Sequence, residues 1–396
     1  MSSQNPVFIP GPTNMPESVR KACDMPTLDH RSPAFARLFQ PAVAGVRRVL
    51  KMAEGEVILL PSTGTGGWEA AVTNTLSPGD TVLAARFGMF SHRWIDLCQR
   101  HRINVEILET PWGQGAPVAA IEKALKADKG RHIKAVLATH NETATGVRSD
   151  IAGIRRAMDA AGHGAMLFVD GVSSIASMPF EFAGWGVDIA VAGSQKGFML
   201  PAGLAILGIS PKAIAAMETA QLPRTFFDFK DMLAAYARGG YPYTPAVGLI
   251  AGLAHAIDLL EDEGLENVYA RHHRLAEGVR RAVAAWGMTP FAASADLYSD
   301  TVTAVKVPEG CNGTDLVQLA ASKYGMAFGV GLGEVAGKVF RIGHLGMLTD
   351  AMVLSGLAVA EMCMADLGWP VRLGSGVAAA QEWYRGSVAQ EARAAA

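Results

Sequence analysis

Apolar and polar positions change rhythm several times along this chain. Residues 8–16, "FIPGPTNMP", hold three prolines and a glycine. Proline lacks the N–H that a helix or ladder needs, so the stretch reads as an extended arm, neither helix nor strand. From residue 57 short apolar runs alternate with helical patterns. "EVILLPSTG" reads as strand then turn, and "GWEAAVTNTL" as a helix closed by "SPGD". "TVLAARFG" is a further strand, and in "SHRWIDLCQRH" the leading Ser91 suits an N-cap. "NVEILET", "IKAVLATHNE", "AMLFVDGVSS" and "VDIAVAGSQ" read as buried strands. Strands alternating with helices predict an α/β fold, a mainly parallel sheet covered on both faces.

After residue 245 the pattern becomes helical. "AVGLIAGLAHAIDLLEDEG" should stop at Gly264. The next helix puts Leu265, Val268, Tyr269, His272, Leu275, Val279 and Val283 on one face, at steps of three and four. Strand-like "TVTAVKVP" and "KVFRIGHLG" follow with a helix between them, as in a smaller C-terminal α/β domain. The expected division is an N-terminal arm (1–20), a large domain (21–263), a small domain (264–385) and a frayed tail (386–396).

Composition narrows the classes. The 396 residues are half apolar and 18% charged, with a net charge of −2. That balance gives no reason to expect nucleic acid or an anionic membrane as partner. The four cysteines (Cys23, Cys98, Cys311, Cys363) lie far apart without metal-ligand spacing and are expected to be reduced. The N-terminus lacks a basic and apolar leader pattern, and residues 239–257, though uncharged, are broken by Pro242, Pro245 and His255. A soluble, cytoplasmic protein without a metal is expected.

Chemistry enters at three places. "PSTGTGGWEAA" (61–71) ends a strand, turns through glycine and threonine, and opens a helix. The N–H groups at such a start, with the Thr63 and Thr65 hydroxyls, can cradle a phosphate. No Gly-Lys-Ser/Thr follows, and the third position of a dinucleotide fingerprint holds Glu69. In "LFVDGVSS" Asp170 ends an apolar strand, where open α/β sheets place ligands, although such an Asp can also serve only as an N-cap. In "DIAVAGSQKGFMLPAGLAIL" a single lysine, Lys196, interrupts an apolar run. An ammonium is costly to bury, so either its head reaches water or the amine is used uncharged or covalently bound. Lysine for an imine, carboxylate for a ring nitrogen and a turn for a phosphate together match the needs of pyridoxal phosphate. Gly331-x-Gly333-x-x-Ala336 is a weaker dinucleotide candidate, because a strand rather than a helix follows it.

The segments "FIPGPTN", "DHRSPAF", "STGTGGWEAAVTNTLSPGD", "HNETATGV", "FVDGVSSI", "GSQKGFMLPAGL", "YPYTP", "AGKVFRIGHLG" and "LGSGVAAA" resemble the serine–glyoxylate and alanine–glyoxylate aminotransferase group. The resemblance runs from about residue 7 to 380, in the same order, and comes nearest to its aspartate–glyoxylate branch. It implies fold type I, class V, with a seven-stranded sheet, and pyridoxal 5′-phosphate as cofactor. It casts Lys196 as the Schiff-base lysine and Asp170 as partner of the pyridine nitrogen. Thr63, Gly64 and Thr65 match the phosphate turn, Thr143 and Gln195 the residues at the 3′-oxygen, and Phe90 the ring-stacking aromatic. Val172 joins the cofactor-binding set. Tyr241 and Thr244 match residues that reach the phosphate from a second subunit, which implies a homodimer. Arg341 matches the clamp on the substrate α-carboxylate, and Gly11 and Arg31 are further substrate-binding candidates. The implied reaction converts glyoxylate to glycine, with aspartate, serine or alanine as donor. Cysteine desulfurases share the class but need a histidine before the lysine, where this chain has Gln195.

Overall fold

The computed structural model describes residues 6–394. The arm contributes β1 (Val7–Phe8) and α1 (Glu17–Cys23), and α2 (Pro33–Val49) follows. Next come β2 (Glu56–Ser62), α3 (Gly64–Thr75), β3 (Thr81–Arg86), α4 (Met89–Arg100), β4 (Asn104–Glu109), α5 (Val118–Ala127) and β5 (Ile133–Thr139). A ribbon of β6 (Asn141–Glu142) and β7 (Val147–Arg148) precedes α6 (Ile151–Ala160), β8 (Met166–Asp170), β9 (Ile189–Gly193) and β10 (Gly203–Ile209). Helices α7 (Pro211–Ala216), α8 (Phe229–Tyr236), α9 (Val247–Glu263) and α10 (Leu265–Ala285) lead to β11 (Val302–Lys306) and α11 (Gly313–Tyr324). Strands β12 (Ala327–Val330) and β13 (Val339–Gly343), then α12 (Asp350–Asp366) and α13 (Ser375–Ala394), complete the chain.

The main sheet has seven strands in the order β2-β10-β9-β8-β5-β3-β4. Strands β4, β3, β5, β8 and β9 run parallel, and β10 lies antiparallel to both β9 and β2. The central strands, "MLFVD" and "IAVAG", are buried at every position. Helices cover both faces, so these runs are continuously apolar rather than alternating. The apolar stretch after Lys196 turns back as β10, because the short connection allows an antiparallel return and not a crossover.

Beside two small clusters around Phe87 and Val335, two large packed cores lie along the chain. One spans Val19 to Val268 and contains Trp94 and Phe168. The other joins Phe8 to residues Leu275 through Tyr384 under a four-stranded sheet, β1-β12-β13-β11. Helix α10 connects them, with Val268 in the first core and Leu275, Val279 and Val283 in the second. Gly264, at a φ of +81°, ends α9 and starts α10. Among the described residues no helix is long and apolar enough to cross a membrane, and no cluster of metal-binding side chains occurs.

The structure corrects three details. The arm is not free of regular structure: Val7–Phe8 pairs in parallel with Ala327–Phe328, Phe8 fills the second core, and α1 begins at Glu17. Pro6 and Pro10 flank the pair, and Val7 and Phe8 between them keep the N–H groups that a ladder needs. Ser91 is not the N-cap of α4, which starts at Met89 after Gly88, and its hydroxyl bonds to the Gly88 carbonyl within the first turn. Strand β4 is half-exposed because it is the sheet edge, where its glutamates discourage further pairing. Helix α13 runs to Ala394, within the segment 386–396. Residues 395 and 396 of that tail lie outside the described residues.

Candidate active site

The C-terminal ends of β2, β3, β5, β8 and β9 share one edge of the main sheet, the edge where open α/β folds take ligands. A cavity of about 130 Å³ opens there, lined by Thr63, Gly64, Thr65, Phe90, Thr143, Asp170, Val172, Gln195 and Lys196. Trp68 and Ser173 complete its wall. Sequence reasoning missed both. Trp68 lies one helical turn after Gly64 and Ser173 directly follows Val172, so helical spacing and adjacency were the available signals. Larger grooves of about 890 and 910 Å³, beside Tyr384 and Trp112, bring no lysine to an acid and carry no comparable chemistry.

Each wall has a local cause. Thr63 is the extended N-cap of α3 and makes no side-chain cap, so the first N–H groups of the helix face outward. Gly64 is required by close approach, since a Cβ there would stand 2.5 Å from Val172 Cγ2. Asp170 terminates β8 with 4% exposure and accepts one hydrogen bond, from the Val172 N–H at 3.0 Å. Burial pushes its pKa up to about 7; the Val172 bond lowers it and Glu142 raises it. The Trp68 indole N–H lies near the same carboxylate and lowers its pKa, although it meets no acceptor at hydrogen-bond geometry.

Lys196 stands three residues beyond β9. Some of its surface opens to the cavity, yet protein crowds it, and burial followed by the Arg341 charge lowers its pKa to about 8. Its Nζ donates to the Pro10 carbonyl. The arm closes over it: Thr13 N–H bonds to the Gln195 carbonyl at 3.2 Å and the Thr13 hydroxyl to the Lys196 carbonyl at 3.2 Å. Gly11, at a φ of +120°, leaves room for the lysine, because a Cβ there would meet Lys196 Nζ at 2.6 Å.

Arg341 on β13 is 6% exposed and backs the cavity from the second sheet. Its Nε donates to the Val330 carbonyl at 2.8 Å and its Nη1 to the Thr143 carbonyl at 2.9 Å. Burial lowers its pKa to about 10, with Glu142 opposing. No carboxylate pairs with it among the described residues, so the remaining N–H groups are available to an anion. Tyr241, Thr244 and Arg31 are not brought to this cavity. The Tyr241 hydroxyl bonds to the Leu59 carbonyl of the same chain, and Thr244 and Arg31 are exposed.

A family model described as aminotransferase class-V matches residues 17–340. The chain belongs to the class-V aminotransferase family. It is 66% identical, over the whole of both chains, to the L-aspartate–glyoxylate aminotransferase of Paracoccus denitrificans. It is 50% identical to the serine–glyoxylate aminotransferase of Hyphomicrobium methylovorum, across 98% of this chain and 96% of that one. The crystal structure of pyridoxamine–pyruvate aminotransferase from Mesorhizobium loti superposes with a TM-score of 0.92 at 30% identity, covering 98% of each chain. This is an aminotransferase with the α/β architecture of its class.

Proposed function

We propose that this aminotransferase moves the amino group of L-aspartate to glyoxylate, giving oxaloacetate and glycine, with pyridoxal 5′-phosphate held on Lys196. The convergence of Lys196, Asp170 and the N-terminus of α3 on one cavity carries the reading. The cavity residues fit that group. Lys196 has no carboxylate partner among the described residues, and the N–H groups of α3 await an anion. Gln195 Oε1 and Trp68 Nε1 are buried without partners. The 66% relative supports aspartate as donor.

When bound, pyridoxal phosphate supplies an aldehyde that captures amino groups and a ring that accepts the electron pair left at Cα. The chain does the rest. Near neutral pH, Lys196 Nζ is closer to its uncharged form than an ordinary lysine, so it can take the Cα proton and return it later. Of the residues that line the cavity, Asp170 would hold the ring nitrogen by charge, Phe90 and Val172 would pack on the ring, and Thr143 and Gln195 would offer hydrogen bonds to its hydroxyl. Arg341 orients the α-carboxylate of donor and acceptor alike. We place Tyr241 and Thr244 at the phosphate of a second copy, making the working unit a homodimer.

The serine-donor reading is favoured by the 50% relatives, one of them from Methylorubrum extorquens. A desulfurase reading is disfavoured: Cys363 packs in the second core, where burial pushes its thiol up to about 11, and Cys311 packs against the same core. Mixing purified holoenzyme with L-aspartate or L-serine, without keto acid, separates the donors by visible absorbance. Bleaching by aspartate alone supports the proposal. Bleaching by serine alone overturns the donor assignment, and absence of any visible band overturns the cofactor assignment.

A further inference from the structure

Glu142, on β6, is wholly buried. Its Oε1 accepts from the N–H groups of Phe90 at 3.2 Å and Ala144 at 3.1 Å. Its Oε2 accepts from Phe90 at 3.1 Å and Ser91 at 2.9 Å. Donors on both oxygens fit the ionised carboxylate, although burial pushes its pKa up. The residue replaces the cap that α4 lacks, since that helix has no side-chain cap of its own. Gly88 exists in this contact for space: a Cβ there would stand 2.2 Å from Glu142 Cδ.

The carboxylate ties together two segments of the cavity wall, the start of α4 and the turn after β6. Phe90 lines the cavity from α4. Ala144 follows Thr143, whose hydroxyl bonds to Ser173 at 2.7 Å and whose carbonyl receives Arg341 Nη1. Glu142 is also the charge that opposes the burial of Arg341 from β13, and it raises Asp170 on β8.

We propose that Glu142 is a positioning residue of the transamination site, a buried anion that locks Phe90 and Thr143 against the cofactor and balances Arg341. This rests on the pyridoxal phosphate reading above. The test compares holoenzyme of the wild type, Glu142→Gln and Gly88→Ala. The glutamine loses the charge and turns an amide donor toward an N–H donor. The alanine keeps the charge but displaces the carboxylate. Three quantities are read: visible circular dichroism per bound cofactor, the rate of cofactor loss on dilution, and the KM of the amino-acid donor.

Glu142→Gln should lose cofactor roughly tenfold faster and show about half the visible dichroism, because a loosened wall no longer fixes the ring. With its counter-charge gone, Arg341 should bind the donor carboxylate more tightly, lowering KM about fivefold. Gly88→Ala should reproduce the first two changes and leave KM within about twofold. If both variants match wild type in dichroism and cofactor retention and only melt lower, Glu142 merely holds the fold and the proposal fails. Should Glu142→Gln not fold, Gly88→Ala decides by the same comparison. A wild type without any visible band would sink the cofactor reading as well; a normal wild type with unchanged variants sinks this inference alone.

Discussion

Consider Asp170→Asn, first in the protein stripped of cofactor. In an unfolded chain this carboxyl titrates near 3.8, whereas in the fold it is held near 7, chiefly by burial. The folded state therefore keeps its proton across the window from about pH 4 to 7, where the unfolded state has released it. Stability drains away as pH rises through that window and levels off above it. A shift of roughly 3 units corresponds to about 4 kcal/mol at alkaline pH. Asparagine has no proton to hold and removes this cost, but it also removes the attraction that keeps Lys196 partly charged. The net gain is then about 2 kcal/mol above pH 7, and close to nothing at pH 4. In thermal melts the variant should exceed wild type by a few degrees at pH 8, by less at pH 5. With cofactor and substrates present the order reverses, since the neutral amide cannot hold a protonated ring nitrogen by charge, and turnover should fall by roughly a hundredfold or more. A stability difference that does not change with pH, or a variant that melts lower at pH 8, would refute the charge assignment.

Two further substitutions probe separate layers. Arg341→Lys keeps the charge but cannot serve the Val330 and Thr143 carbonyls and still present a fork, so KM for both substrates should rise about 10- to 100-fold, more than kcat falls. Equal losses in kcat and kcat/KM, with KM unchanged, would place Arg341 outside ground-state binding. Phe168→Ala empties a fully buried site in β8 and should cost about 3–5 kcal/mol in unfolding measurements, while the KM of protein that remains folded stays put.

The sheet was legible because its strands are short, apolar and separated by helical periodicity; "MLFVD" and "IAVAG" allow little else. What the pattern hid was direction and edge. Nothing in "GLAILGI" distinguishes an antiparallel return from another parallel strand, since both are buried at nearly every position. Nor did "NVEILE" declare itself an edge except through its two glutamates. Nine candidate cofactor residues meet in one cavity; Thr63, Asp170 and Lys196 were legible from strand ends and a helix start, whereas Phe90, Thr143, Val172 and Gln195 came only from the family resemblance. Pairings across long separations were not legible. That Val7–Phe8 would join Ala327–Phe328, or that the Pro10 carbonyl would receive Lys196, depends on tertiary packing over hundreds of residues. Tyr241 packs in the first core with its hydroxyl on the Leu59 carbonyl, and Thr244 is exposed, so neither reaches the cavity within this chain.

The electrostatics of the site follow from the same separation of elements. Lys196, Asp170, Arg341 and Glu142 arrive from β9, β8, β13 and β6, and none forms a direct ion pair with another among the described residues. Each instead leans on backbone: lysine on the Pro10 carbonyl, arginine on two carbonyls, both carboxylates on N–H groups. If Lys196 paired directly with Asp170, both pKa values would return toward ordinary ones, and the amine would be locked as a charged donor. Backbone partners satisfy the polar atoms while leaving the charges unquenched, so desolvation is retained as a lowered lysine and a raised aspartate. That is the condition transamination needs. The amine must be able to lose its proton near neutral pH, and the acid must gain a cationic partner only when one enters the cavity.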